Sequence, residues 1–313
     1  SNLIIIPDGA LWNVNFELLE DRNKSFNDKL MLNRFNISYA PSSFLLFNRR
    51  PKLQSADGHL LAFSYSDEDT IVSNKITTLE IFRDNENELP GSSIEILNIS
   101  QFLEGDYYYG KSASESNFKS NASHYSLIHL AVHGVVNRAD PNSSKLIFNV
   151  AADQENDGQL HVFELYNMQL NTNLVVLSAC NSGDGKLMVG EGIMSLGRGF
   201  SYAGVESLVL SRWEVSDLTA PIIMKYFYEG LMDGMRKSEA LSYAKREFLN
   251  KHSDNITSHP YYWAGFYVLG NDEPILRSYF FSSNNLIKLT VIAVTMFMMT
   301  LLVLFVNKPR LLR

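Results

Sequence analysis

Sulfur chemistry is nearly absent from this chain: 313 residues contain one cysteine, Cys180. An internal disulfide framework is therefore excluded, as is a zinc centre built on several thiolates. Basic character is also in short supply. Lys and Arg number 27 against 34 Asp and Glu, a formal net charge of −7, and no Lys/Arg stripe offsets it. That balance argues against nucleic acid as a partner. One common catalytic device is missing too. There is no G-x-S-x-G elbow for a serine hydrolase. The stretch "GDGKLMVGEG" (residues 183–192) has glycines and a lysine, but not the G-x-x-x-x-G-K-[ST] order of a phosphate cradle. His161, His252 and His259 lack metal-ligand spacing with carboxylates. No metal and no cofactor is expected.

What is present has the balance of a globular protein, 45% hydrophobic and 19% charged, with ample length for a large core. The chain opens on "SNLIIIPDG", a strand already under way without a methionine, and is expected to be a piece of a longer protein. Short apolar runs alternate with helical patterns, the sign of an α/β sheet with helices on its faces. Strands are expected at residues 3–7, 37–41 and 60–66, and a short one at 93–98. Stronger ones follow at 126–134, 144–150, 173–180 and 205–213, and a final strand is expected at 261–270. Helices are expected at 76–83, 190–204, 216–234 (capped by Ser216 or Asp217) and 237–249. Residues 271–285 read as a juxtamembrane linker.

The linker leads to "LIKLTVIAVTMFMMTLLVLFV" (residues 286–306), with one charge, Lys288, near its start. A buried core helix rarely runs this long without a polar face, so a single C-terminal transmembrane helix is expected, with residues 307–313 as a short basic tail. Lys308, Arg310 and Arg313 in that tail outnumber Arg277 and Lys288 upstream, a narrow margin for a cytoplasmic tail.

Two strands end in reactive residues. "IHLAVHG" places His133 at one tip, before Gly134, and "VVLSAC" places Cys180 at another, before the polar, glycine-bearing "NSGDG". Functional groups of open α/β sheets gather beyond the carboxyl ends of strands. If the two strands are neighbours, imidazole and thiol leave the same edge. The imidazole could then draw off the thiol proton while turn amides stabilise an oxyanion. The alternatives are a core cysteine, among the most buried residue types, and a strand-end histidine held by one hydrogen bond. His129, deeper in the same strand, reads as structural.

The ordered segments "LIIIPDGALWNVNFELL", "ISYAPS", "IHLAVHG", "LVVLSACNSG", "GEGIMSLGRGFSYAG", "SRWEVSD" and "HPYYWAGFYVLG" resemble the CHAT family from about Leu3 to Gly270. These are caspase-like domains related to separase and, more distantly, to caspases, gingipains and clostripain. The resemblance implies a caspase-like, mostly parallel sheet flanked by helices over residues 1–270, often preceded by tetratricopeptide repeats. It implies that His133 and Cys180 form a catalytic dyad and that the Gly134 and Cys180 amides form the oxyanion hole. In separase-like relatives an acidic residue just after the matching strand and Trp-x-Val segment binds a basic P1 side chain. Asp217 matches that position, and Glu214 stands next in line. Such a carboxylate would give charge-assisted, bidentate recognition, although Asp217 is equally placed to cap a helix. Asn181, Ser182, Arg212 and Glu214 depart from the family pattern, which bears on the shape and charge of the P1 pocket.

The expectation is a membrane-anchored cysteine endopeptidase acting on a protein or peptide after Arg or Lys, gated by an upstream tetratricopeptide-repeat region or a regulatory partner. The alternative is a catalytically silent scaffold or interaction module. Residues 183–192 are the candidate mobile loop, with Lys186 as a candidate self-cleavage point.

Overall fold

The computed structural model describes residues 1–24, 29–47, 58–68, 89–137, 139–150, 156–178, 191–252, 256–275 and 298. The first half contains β1 (Asn2–Ile5), β2 (Asn36–Tyr39), α1 (Ser43–Phe47), β3 (Gly58–Ser64), α2 (Pro90–Ser100), β4 (Gly105–Tyr109), α3 (Glu115–Asn121) and β5 (Tyr125–Ala131). Then come β6 (His133–Val135), β7 (Lys145–Ile147), β8 (Gln159–His161), α4 (Val162–Leu165) and β9 (Leu174–Leu177). The last elements are α5 (Glu191–Tyr202), β10 (Ser207–Ser211), α6 (Ala220–Met232), α7 (Lys237–Lys251) and β11 (Phe266–Gly270).

Eight strands form one sheet in the order β1-β2-β11-β10-β9-β5-β3-β4. Every pairing is parallel except β10 with β11. The strands β10, β9, β5, β3 and β4 therefore share one carboxyl edge. A small antiparallel sheet, β6-β7-β8, stands apart. The central strands are largely apolar because both faces are covered. In β5, Leu127 and Ala131 pack with α2, α6 and α7. Ile128 and Leu130 face the opposite layer, with α3, α4, α5 and the small sheet.

Several elements differ from the sequence expectation for identifiable reasons. Residues 93–98, expected as a strand, lie within α2. Ser92, Glu95, Ile96 and Ile99 are buried at helical spacing, and the β-branched isoleucines masked that period. The run 126–134 is two strands. The chain bends at Val132, and His133 opens β6 against Ile147 of the second sheet. The helix expected from 216 starts at Ala220 with Thr219 as its N-cap, so neither Ser216 nor Asp217 caps it. Pro221 suits that first turn, where no intrahelical N–H is needed. The last strand is shorter than expected, since Pro260–Tyr262 is a 3-10 turn.

The expected helix at 76–83, most of the loop 183–192, Lys186, the linker from 276 on and the tail lie outside the described residues, as does the expected span apart from Met298. Among the described residues no helix is long and apolar enough to cross a membrane.

The amino-terminal segment is fastened to the sheet by buried charge. Lys245 of α7 is fully buried, pairs with the buried Glu17 and donates to the Phe266 carbonyl at 2.6 Å. Burial pushes the Lys245 ammonium down, and Glu17 pulls it back up. Arg212 adds a second clasp. Its guanidinium lies over Tyr39 at 4.8 Å and Tyr267 at 4.5 Å and donates to the Trp12 carbonyl at 2.8 Å. A buried charge deprived of its partner is strongly destabilising, whereas replacing both partners with apolar groups is often neutral. Glu17→Ala is accordingly expected to cost about 3 kcal/mol in urea unfolding, and Glu17→Leu combined with Lys245→Met should recover most of that loss.

Candidate functional site

The carboxyl edge of the main sheet gathers the residues singled out in the sequence. In β5 and β9, parallel neighbours, Leu130 is in register with Leu177. His133 follows Leu130 by three residues, and Cys180 follows Leu177 by three. The strands that lead toward the two residues are thus adjacent, and their shared ladder ends at the Leu130–Leu177 pair. Cys180 itself lies outside the described residues; the last one before it is Ser178. Beyond β3, the Tyr65 ring meets the His133 ring edge-on, with centroids 4.5 Å apart. Tyr65 is held by its amide, which donates to the Ala131 carbonyl at 3.0 Å, and by Asn149, which donates to its carbonyl at 2.7 Å. After β3 the chain crosses to β4 on one side, and after β5 it crosses to β9 on the other. The Tyr65–His133 contact therefore marks the switch point, where ligands of open sheets bind. His133 is 6% exposed, and Gly134 is buried beside it, paired with Leu146.

Asp217 arrives at the same edge from the loop after β10. It packs against the first turn of α2, where a Cβ on Gly91 would come within 2.5 Å of the Asp217 carbonyl oxygen. Only glycine admits this approach, and the Gly91 amide donates to the Asp217 carboxylate. Burial pushes the Asp217 carboxyl up to about 7, and the negative charges of Glu95 and Glu214 add to the rise, while the Gly91 hydrogen bond opposes it. Glu214 is exposed. Arg212, which departs from the family pattern, points away from this edge into its Tyr39–Tyr267 clasp. It leaves the surroundings of Asp217 acidic.

Sequence reasoning missed a buried cluster behind the site. Glu95 of α2 takes a hydrogen bond from Ser178 Oγ at 3.0 Å, and its Oε1 lies 2.9 Å from His129 Nε2. His129 Nδ1 is 3.0 Å from the Tyr228 hydroxyl on α6. Burial holds the Tyr228 hydroxyl well above its ordinary value, so it keeps its proton and can donate to Nδ1 or accept from it according to the His129 tautomer. The available signal was a carboxylate and an imidazole each standing alone in an apolar, buried face, since such groups need partners. Ser64, Ser66 and Ser92 form a second buried set. Ser92 Oγ lies 3.0 Å from Ser64 Oγ and accepts from the Ser66 amide at 3.1 Å, which ties the end of β3 to the start of α2. Among the described residues no group of three His, Cys, Asp or Glu side chains could hold a metal ion.

A family model described as the CHAT domain matches residues 1–271. Human tetratricopeptide repeat protein 28 is 24% identical over 301 residues, a span of 86% of this chain and 12% of that protein. The mouse protein of the same name is 23% identical over 308 residues, with the same shares. The chain thus spans roughly one eighth of the length of these curated relatives. Among solved structures, the Arg-specific cysteine proteinase gingipain R matches 79% of this chain and 56% of its own at 11% identity, with a TM-score of 0.47. The Saccharomyces cerevisiae separase–securin complex matches 75% of this chain and 14% of its own at 12% identity, with a TM-score of 0.44.

The raised Asp217 carboxyl has a consequence for stability. Its ordinary value is 3.8 and its folded value about 7, so the folded chain holds this proton over a pH range in which the unfolded chain has released it. Its contribution to stability is therefore complete below pH 3.8 and lost as pH climbs through 7. Asp217→Asn should match wild type in melting temperature near pH 3, where Asp217 is protonated in both states, and exceed it increasingly as pH rises, by a few degrees near pH 8. Differential scanning calorimetry across that range is the check, and a pH-independent difference would contradict it.

Proposed function

This chain belongs to the CHAT family, and on that premise we propose that it is a cysteine endopeptidase in which His133 and Cys180 act together and Asp217 receives a basic P1 side chain. The observation that carries the reading is the register of β5 and β9, adjacent parallel strands after which His133 and Cys180 follow at equal offsets. The switch-point position supports it further.

In this mechanism the His133 imidazole takes the Cys180 thiol proton, and the thiolate attacks the scissile carbonyl. The charge that develops on the carbonyl oxygen is met by the Gly134 and Cys180 amides. His133 returns its proton to the departing amine, leaving an acyl thioester. Water, with His133 as base, then hydrolyses the thioester and releases the free thiol. Asp217 supplies recognition: the ionised carboxylate pairs with the Arg or Lys of the substrate, and Glu214, exposed beside it, adds negative potential. The apolar segment 286–306 anchors the chain in a membrane as a single span. An upstream repeat region or a regulatory partner gates the site, a proposal supported by the repeat-protein name of the curated relatives, most of whose length lies beyond the match.

That same name favours a second reading, a silent scaffold built on this fold, because it specifies repeats and no reaction. Fluorogenic peptides with Arg, Lys or Asp at P1, tested on the full-length protein with its regulator, separate the two. The endopeptidase reading predicts cleavage after Arg and Lys, and a loss of about three orders of magnitude or more in kcat for Cys180→Ala and His133→Ala. It also predicts a KM for Arg peptides that falls as pH rises through 7, as Asp217 ionises, and a higher, flatter KM in Asp217→Asn. Cleavage that survives Cys180→Ala would contradict Cys180 as the nucleophile, and no cleavage at all would favour the scaffold.

A further inference from the structure

The strands that lead toward His133 and Cys180, β5 and β9, are bridged by one side chain that belongs to neither. Glu95 of α2 is 2% exposed, and both of its carboxylate oxygens are engaged, one with each strand. Oε1 faces His129 of β5, four residues before His133. Oε2 accepts from Ser178, the first residue past β9 and two before Cys180. His129 is fully buried and held from its other nitrogen by Tyr228, so the imidazole that fixes the carboxylate is itself fixed.

We propose that Glu95 is a positioning residue for the nucleophile: through Ser178 it fixes the direction in which the chain leaves β9 toward Cys180, and through His129 it refers that direction to the strand leading to His133. The proposal rests on the reading of Cys180 as the nucleophile. Along β9, Leu174 and Val176 face the layer of α2 and α6, and Val175 and Leu177 face the opposite layer. Ser178 continues this alternation toward α2. The ladder with β5 pairs residues only as far as Leu177. Beyond it, the Ser178–Glu95 bond is the anchor next in the chain. Solvent competes weakly for this bond, because Ser178 is 5% exposed and Glu95 is nearly dry. A fixed exit matters because a displacement of about 1 Å at a reacting group can lower the rate about a hundredfold.

The groups facing Glu95 define the variants. Ser178→Ala removes the hydroxyl, and Ser178→Thr retains it. Glu95→Leu keeps bulk without an acceptor. Glu95→Gln keeps an oxygen for Ser178 and turns an amide N–H toward His129, whose ring can switch tautomer because the Tyr228 hydroxyl is able to accept as well as donate. Two readouts apply to the full chain: kcat and KM on an Arg-P1 peptide, and the pH midpoint for alkylation by iodoacetamide. Because Cys180 is the sole cysteine, alkylation followed by intact mass reports on that thiol alone. Thermal melting normalises each value to the folded fraction.

Ser178→Ala and Glu95→Leu are expected to lower kcat about tenfold or more, with KM within about twofold of wild type. Their alkylation midpoint should rise toward the ordinary thiol value of about 8.5. Ser178→Thr and Glu95→Gln should stay near wild type in both readouts. Wild-type kcat in folded Ser178→Ala and Glu95→Leu would overturn the proposal, as would equal losses in all four variants. A wild-type chain with neither Cys180-dependent cleavage nor a depressed thiol midpoint fails at the earlier step, the reading of Cys180 as nucleophile, and the positioning role falls with it.

Discussion

The parallel pairing of β5 with β9 is the constraint on which the carboxyl edge depends. Strands in a parallel ladder cannot slip by one residue without sending every buried side chain to the wrong layer. Here both layers are apolar and closed. Leu127 and Leu174 face one, and Ile128 and Val175 the other. The register that satisfies both is therefore strongly specified, and it sets which residues of β5 and β9 stand level at the carboxyl edge. Glu95 reinforces the same pairing with a directional hydrogen bond from Ser178 and a 2.9 Å approach to His129. Tyr65 closes the arrangement from the side of β3.

Against this rigid frame, Asp217 is held at a disadvantage. Its carboxyl is buried against Gly91 with two like charges nearby, and so it favours its proton up to about pH 7. A cationic side chain would remove the disadvantage by supplying the missing counter-charge, so recognition and ionisation are linked. The exposed Glu214 and the buried Glu95 belong to this balance, whereas Arg212, the nearest basic residue in sequence, is committed elsewhere to two aromatic rings. The acidity of the edge thus follows from where Arg212 points as much as from which carboxylates are present.

Much of this was legible in the sequence, and what was not has a physical cause. The strands β3, β5, β9 and β10 are covered on both faces and announce themselves as largely apolar runs, interrupted in β5 by His129. The edge strand β4, with sequence GDYYY and partial exposure, carries no such signal. The break at Val132 was hidden because the chain remains apolar while it changes sheets, and α2 was hidden by its isoleucines. His133 stood out because glycine follows it at a strand tip. Glu95, Ser178 and Tyr65 did not, because their roles are defined by partners 34 to 83 residues away or on other strands, as with Glu95–His129 and Glu95–Ser178. Asp217 was found by its place in a motif, but its contact with Gly91 rather than with the following helix required the fold.

Whether these side chains form one peptide-binding edge is decided by a crystal structure of the chain inactivated with a peptidyl-arginine chloromethyl ketone. A thioether on Cys180 is expected, with the His133 ring beside that sulfur and the guanidinium in hydrogen-bonded contact with the Asp217 carboxylate. An adduct whose guanidinium lies away from Asp217, or a chain that stays unmodified when its regulator is present, would contradict that arrangement.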